Sequence, residues 1–144
     1  MKKLTPKDFP PLLNEINDPP TQLYIEGGMP SFDHVFLTVV GSRKYSAYGK
    51  EVCENLIEDL AGYPVVIVSG LALGIDAIAH NSAIEAGLKT IAVPGSGLDR
   101  SVLYPRTNFN LAEKILDSGG ALLSEFEPET RATPYTFPQR NRIM

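Results

Sequence analysis

Short apolar runs alternate with segments of helical periodicity from residue 35 onward. The strands that these runs predict cover residues 35–40, 65–68, 90–93 and 121–124. The segments between them predict a helix that begins near Ser46 and ends before Gly62, and further helices over residues 75–86 and 108–117. Continuous β-branched runs are typical of parallel strands buried on both faces. We therefore predict an α/β fold, a Rossmann-like parallel sheet with helices on both faces.

The first thirty residues follow a different pattern. The prolines that interrupt any long helix there are Pro6, Pro10, Pro11, Pro19, Pro20 and Pro30. Leu12, Leu13 and Ile16 allow one short apolar turn between them. We predict a proline-rich arm over residues 1–30 that packs on a core domain over residues 31–144.

Composition limits the possible roles of the chain. A length of 144 residues suits one domain, and 43% hydrophobic with 21% charged residues is typical of a globular protein. No apolar run approaches the roughly 18 residues of a membrane span, and Cys53 is the single cysteine. These features predict a cytoplasmic protein without a membrane partner. A net charge of -4 means that any polyanion site is a local basic patch.

Glycine-containing turns follow each of the first three predicted parallel strands. Because such turns leave a parallel sheet at the same edge, where α/β proteins bind ligands, we expect residues 41–43, 69–70, 94–97 and 124–125 to converge. Gly41 allows a close approach, Ser42 offers a hydroxyl, and Arg43 offers a planar fork for phosphate oxygens. Ser69 and Gly70 begin a loop whose backbone N–H groups suit an anion. The alternative is a glycine turn with an arginine paired to a surface carboxylate.

Neither a cofactor nor a catalytic group is predicted. The Gly-x-Gly-x-x-Gly pattern is absent after the first strand, and no acidic residue ends the second, which argues against a nicotinamide or flavin cofactor. Asp76 and His80 stand four apart on one helix, the spacing of an acid–base pair or of two metal ligands. A packed, hydrogen-bonded role is the favoured interpretation, and with His34 and Cys53 on other elements no metal site is predicted.

Aromatic and basic residues mark two further segments. Residues 94–105 form a long loop of the kind that often carries function, with Tyr104 as a packing anchor in the alternative interpretation. Residues 133–144 contain Tyr135, Phe137, Arg140, Asn141 and Arg142 but no acidic residue. Rings that stack on bases and arginines that neutralise phosphates suit a single-stranded nucleic acid. The alternatives are a buried Phe137 with surface arginines, or arginines that pair with Glu125 to hold the loop.

These motifs together resemble one family. Gly41-Ser42-Arg43, the Ser69-Gly70 to Asp76 segment and Phe137-Pro138-Gln139-Arg140-Asn141-Arg142 are similar to the DNA-processing protein A (DprA/Smf) family. The resemblance implies a bacterial protein without turnover that binds single-stranded DNA, protects incoming DNA and helps load RecA in natural transformation. The DNA-binding residues that it implies are Gly41, Ser42, Arg43, Ser69, Gly70, Phe137, Arg140 and Asn141.

The chain also departs from that family. In the family, the core domain continues past the position of Met144 with later strands, on which dimerisation largely depends. We therefore expect this chain to be a truncated product or a fragment, and we do not expect it to form the family's homodimer. Leu73 stands where the family often has a basic residue. One alternative function is a nucleotide phosphoribohydrolase of the lysine-decarboxylase-like group, but its Pro-Gly-Gly-x-Gly-Thr loop differs from Pro94-Gly95-Ser96-Gly97-Leu98-Asp99. Another is an inactive remnant.

Overall fold

The computed structural model describes residues 1–144 and contains one six-stranded sheet with the strand order β1-β2-β6-β5-β4-β3. The strands are β1 (Lys2–Leu4), β2 (Leu23–Gly27), β3 (Val35–Thr38), β4 (Val65–Ser69), β5 (Lys89–Ala92) and β6 (Ala121–Ser124). The helices are α1 (Ala47–Glu58), α2 (Ile75–Glu85), α3 (Phe109–Asp117) and α4 (Thr136–Asn141). Strands β3 to β6 are parallel, and β1 and β2 are antiparallel to their neighbours. The predicted α/β class is confirmed.

Local signals explain the helix boundaries. The Ser46 hydroxyl caps α1 by accepting a hydrogen bond from the Gly49 N–H at 3.0 Å. Gly87 and Gly119 follow α2 and α3 with φ values of 75° and 86°, the left-handed conformation that ends a helix at low cost. None of the helices combines the length and the apolar character that crossing a membrane requires.

The three crossover helices α1, α2 and α3 lie on one face of the sheet. Strands β3, β4, β5 and β6 follow one another without a reversal of order, and right-handed crossovers between such strands all fall on the same side. Ile67, Ala92 and Leu122 face these helices and pack against Cys53, Ile57, Ala79, Ala83, Leu111, Ala112 and Ile115.

The opposite face carries a different cover. Val66, Val68, Ile91 and Leu123 pack there against the 3-10 helices Pro6–Asp8 and Pro11–Glu15 and their flanks, and against the last two residues of the chain. An apolar groove of about 460 Å³ remains on this face. The sequence predicted helices on both faces, and the structure gives one face α-helices and the other short 3-10 turns.

The proline-rich arm contributes two strands that its sequence did not predict. Strand β1 pairs with β2, and β2 pairs with β6 in a register that sets Tyr24 opposite Ser124. Leu23 and Ile25 alternate into the core, while the Tyr24 hydroxyl donates a hydrogen bond to Glu127 at 2.6 Å. The sheet is therefore mixed, because tertiary pairing overrides the strand-breaking effect of the flanking prolines.

Strand β3 lies at the edge of the sheet, which corrects the expectation of a strand buried on both faces. Its regular pairing ends at Thr38, and Val35 and Leu37 are 60% and 41% exposed. A β-branched run signals a strand, but only the strand order decides whether it is central. With β4 as its single partner, β3 brings its loop to an exposed position.

Candidate nucleic-acid interface

Three side chains surround the Phe137 ring at the carboxyl edge of the parallel strands. The guanidinium carbons of Arg43 and Arg140 lie 5.8 and 5.4 Å from the centroid of this ring. The Tyr104 ring packs edge-on against it, with 5.6 Å between centroids. A Cβ atom at Gly95 would lie 2.5 Å from the Phe137 ring, so glycine lets the ring rest on the loop after β5. We call Arg43, Tyr104, Phe137 and Arg140 the arginine–aromatic cluster.

The loop after β3 presents Arg43 to solvent. A Cβ at Gly41 would lie 2.8 Å from the Ile75 side chain, so this glycine allows the loop to approach the start of α2. The Ile75 N–H donates to the Ser42 carbonyl at 3.1 Å, and the Ser42 hydroxyl accepts from the Lys44 N–H at 3.0 Å. These bonds fix the turn, whereas the guanidinium of Arg43 takes part in none of the ion pairs of the chain.

Arg140 is a buried brace beneath the same ring. Its side chain is only 7% exposed, and its Nη1 donates to the carbonyls of Gly70 and Val93 at 2.9 and 2.8 Å. Its Nε donates to Asn141 Oδ1 at 2.8 Å. Burial lowers the pKa of Arg140 because the charged form loses hydration. The resemblance implied a DNA contact here, and the structure shows a cation that ties α4 to the loops after β4 and β5.

Ser69 and Gly70 lie inside the protein instead of lining a surface pocket. The Ser69 hydroxyl, which is fully buried, donates to the Val39 carbonyl at 2.6 Å. The Gly70 N–H donates to Asp76 Oδ2 at 3.0 Å, and a Cβ at Gly70 would lie 2.5 Å from Arg140. The expected anion cradle is therefore revised, because the N–H of Gly70 is already bonded within the chain.

Leu71 has a strained backbone conformation that its sequence context does not predict. This buried residue has φ of 62°, which a side chain with a Cβ rarely adopts. Its N–H donates to His80 Nε2 at 3.3 Å, and its carbonyl accepts from the Asn108 side chain at 2.8 Å. The other ring nitrogen of His80 lies 2.8 Å from the Thr90 hydroxyl. The His80 ring is fully buried, and burial lowers its pKa to about 3.

Two residues near the end of the chain, Asn141 and Arg142, have different environments. Asn141 is exposed, and its side-chain oxygen is bound by Arg140. Arg142 forms a two-point ion pair with Glu125, with 2.6 Å between Nη2 and Oε2, and donates from Nε to the Asp18 carbonyl at 2.9 Å. The hydrogen bond to Glu125 raises the pKa of Arg142. Of the two arginines weighed as partners of Glu125, only Arg142 has that role.

The loop after β5 carries Tyr104 close to its end, just before the 3-10 helix Arg106–Asn108. The Gly97 N–H donates to the Thr130 carbonyl at 2.8 Å, and Leu98 and Leu103 are buried in the core. Tyr104 itself remains 41% exposed beside Phe137. The sequence offered Tyr104 as a packing anchor, and only the tertiary contact with α4 makes it part of the cluster.

The fold belongs to the class of α/β proteins that bind their ligands at the carboxyl edge of a parallel sheet, and here that edge holds an exposed arginine beside aromatic rings. The family model described as DNA recombination-mediator protein A matches residues 2–144, and the chain belongs to this family. The resemblance to DprA/Smf proteins is thereby confirmed.

Individual relatives agree with this assignment. The chain is 42% identical to Protein Smf of Escherichia coli over 136 residues, which cover 94% of this chain and 36% of that protein. It is 39% identical to DNA processing protein DprA of Bacillus subtilis over 142 residues, which cover 98% and 47%. The chain thus spans less than half the length of both relatives.

Two solved structures share the fold at a TM-score of 0.85. DNA processing protein A from Streptococcus pneumoniae is 38% identical, with 99% of this chain and 50% of that chain covered. DNA processing protein A from Helicobacter pylori, whose structure was described for its single-stranded DNA binding mode, is 32% identical, with 99% and 64% covered.

Proposed function

We propose that the chain binds single-stranded DNA at the arginine–aromatic cluster. The observation that carries this proposal is the pair of guanidinium groups, Arg43 and Arg140, that face one Phe137 ring without an ion-pair partner. The guanidinium of Arg43 is exposed, and a guanidinium without a carboxylate partner is suited to bind a phosphate. The pKa of Arg140 is lowered mainly by burial, is raised by the nearby Asp76, and is lowered by the charge of Arg43 to a smaller extent.

The aromatic part of the cluster favours a single strand over a duplex. Unpaired bases offer their faces to protein rings, whereas stacked bases in a duplex do not. Tyr104 and Phe137 stand beside Arg43, so ring and charge are available to one segment of DNA. The binding mode described for the Helicobacter pylori relative supports the same ligand.

The acidic groups near the edge support a binding protein without turnover. Asp76 accepts from the Gly70 N–H, and Asp99 Oδ1 accepts from the N–H and hydroxyl of Ser101 at 2.9 and 2.6 Å. A phosphoribohydrolase needs a carboxylate free to act on its substrate, and both of these hold turns. Incubation with nucleoside monophosphates tests the alternative, since release of free base would favour the enzyme.

The wider role remains part of the proposal. We propose that the chain protects incoming DNA in the cytoplasm and helps RecA assemble on it during transformation. The description of the family as a recombination mediator supports this step. RecA assembly on an oligonucleotide covered with single-strand-binding protein, measured with and without the chain, tests it. An unchanged assembly rate would count against the RecA step.

Arg43→Ala tests the binding site directly. We expect affinity for a fluorescent thymidine oligonucleotide to fall roughly tenfold at low salt, because a charge-assisted phosphate contact is lost. The slope of log affinity against log salt should fall by about one for the same reason. Fluorescence anisotropy titrations at several salt concentrations measure both quantities.

Lys89→Ala is the matched control, because it removes the same charge from the start of β5, at the opposite edge of the sheet. It should leave affinity and salt slope close to those of the parent chain. Equal losses in both variants would show attraction by overall charge, and an unchanged Arg43→Ala variant would remove Arg43 from the site.

A further inference from the structure

Tyr104 stands apart from the other exposed tyrosines of the chain. Its ring packs against Phe137 at an interplanar angle of 65°, and no other pair of aromatic rings is in contact. Tyr48, Tyr63 and Tyr135 are more exposed and have no ring partner. The contact with Phe137 holds the Tyr104 ring in position while 41% of the residue stays exposed to solvent.

The backbone fixes Tyr104 from both sides. Its N–H donates to the Ser96 hydroxyl at 3.2 Å, and the Ser96 carbonyl in turn accepts from the Ser124 hydroxyl at 2.8 Å. The preceding residue, Leu103, is buried in the core and Pro105 is buried behind it. The ring is therefore held in place before any ligand arrives, which lowers the entropy lost on binding.

The hydroxyl of Tyr104 makes no hydrogen bond within the chain, in contrast to Tyr24, whose hydroxyl is held by Glu127. Structural tyrosines usually satisfy their hydroxyl when they are buried. The Tyr104 ring is positioned by its backbone and by the contact with Phe137, without a hydrogen bond from its side chain. Such a side chain offers a flat apolar face at the surface of a site that already contains cations.

From this geometry we propose that Tyr104 is a base-stacking residue, which rests on the DNA-binding function proposed above. The guanidinium of Arg43 and the ring of Tyr104 lie 5.8 and 5.6 Å from the same Phe137 centroid. One nucleotide thus meets a cation for its phosphate and an aromatic face for its base. Phe137 sets the spacing between the two contacts.

Two probes separate stacking from phosphate binding. A thymidine oligonucleotide offers bases and phosphates, while an abasic oligonucleotide of the same length offers phosphates alone. Tyr104→Ala should weaken binding of the first roughly tenfold, because stacking on an aromatic side chain contributes about 1–3 kcal/mol per base. It should leave binding of the abasic strand and the salt slope of both probes unchanged, since no charge is removed.

Two further variants define the contact. Tyr104→Phe keeps the ring and should bind the thymidine strand within about twofold of the parent chain. Tyr63→Ala removes an exposed tyrosine just before β4, at the opposite sheet edge, and should bind like the parent. Since the chain has six tyrosines and no tryptophan, quenching of tyrosine emission by the oligonucleotide gives a second readout. Part of that quenching should disappear in Tyr104→Ala.

Distinct outcomes overturn this inference. Equal affinity of Tyr104→Ala and the parent for the thymidine strand removes the stacking contact. An equal loss on the abasic strand shows that Tyr104 only supports Phe137, and a loss in Tyr104→Phe as large as in Tyr104→Ala assigns the effect to the hydroxyl. In each case binding that still depends on Arg43 leaves the proposed function standing, whereas a parent chain that binds neither probe contradicts that function itself.

Discussion

The loops after β3 and β4 contain similar residues and have opposite exposure. Gly41, Ser42 and Arg43 lie in solvent, whereas Ser69 and Gly70 are buried and bonded to the rest of the fold. Strand β3 has one neighbour and β4 has two, so the second loop is enclosed and the first is open. A glycine–serine turn is therefore buried when it follows a central strand and available for contact when it follows an edge strand.

Arg140→Ala should show the largest difference between the two loops. The substitution leaves the buried carbonyls of Gly70 and Val93 without a donor, so we expect a loss of roughly 3 kcal/mol in the free energy of unfolding. Arg43→Ala should change this free energy by less than about 0.5 kcal/mol, as exposed substitutions usually do. Urea unfolding of both variants measures the contrast. Parent-like stability of Arg140→Ala with lost DNA binding would instead make Arg140 a surface contact.

Acid should lower the free energy of unfolding through His80, which holds the loop after β4. His80 has its pKa lowered from 6.5 to about 3 by burial, so the unfolded chain takes up a proton that the native state resists. The stability that neutral His80 provides is complete above pH 6.5 and falls with pH toward 3. At about 1.4 kcal/mol per pH unit, the loss reaches about 2 kcal/mol by pH 5.

Urea midpoints between pH 7 and pH 5 test this effect. His80→Gln carries no titrating ring and should lose most of the slope in that window, even if it is less stable at neutral pH. Identical slopes in His80→Gln and the parent would show that another group governs the acid response.

Two serine substitutions make the smallest and most closely matched test. Ser69→Ala removes a buried hydroxyl from the Val39 carbonyl and should cost about 1 kcal/mol of stability. Ser42→Ala removes an exposed hydroxyl and should leave stability within about 0.5 kcal/mol, while DNA affinity falls because the turn that carries Arg43 is loosened. Thermal melts and anisotropy titrations on both variants give the comparison. The reverse pattern, with Ser69→Ala impaired only in binding, would return Ser69 to the surface.

The parallel half of the fold follows closely from the sequence. The prediction for β6 agrees with the structure at both ends, and β4 extends one residue beyond the predicted run. Continuous apolar segments and helix-ending glycines are local signals that survive in the fold. Strands β1 and β2 are short and lie near prolines. Strand β2 pairs with the distant β6 and β1 pairs with β2, so no local signal in the sequence indicates either strand.

The candidate site was only partly predictable. A strand followed by Gly41-Ser42-Arg43 is a local pattern, and the structure places Arg43 at the surface beside Phe137. The burial of Arg140 and the exposure of Tyr104 depend on where α4 packs against the sheet. No single segment of the sequence determines that position. Tertiary packing therefore decides that Arg43 is exposed for contact while Arg140 is a buried brace.

The pairing of β2 with β6 has a consequence for the order of folding. The Tyr24 hydroxyl contacts Glu127, which lies 103 positions later, so this pairing closes one of the longest loops in the chain. Contacts of such sequence separation form slowly, and synthesis delivers the N-terminal residues first. We expect the arm to leave the ribosome early, to remain unpaired while β3, β4 and β5 assemble, and to join the sheet only when β6 provides its partner.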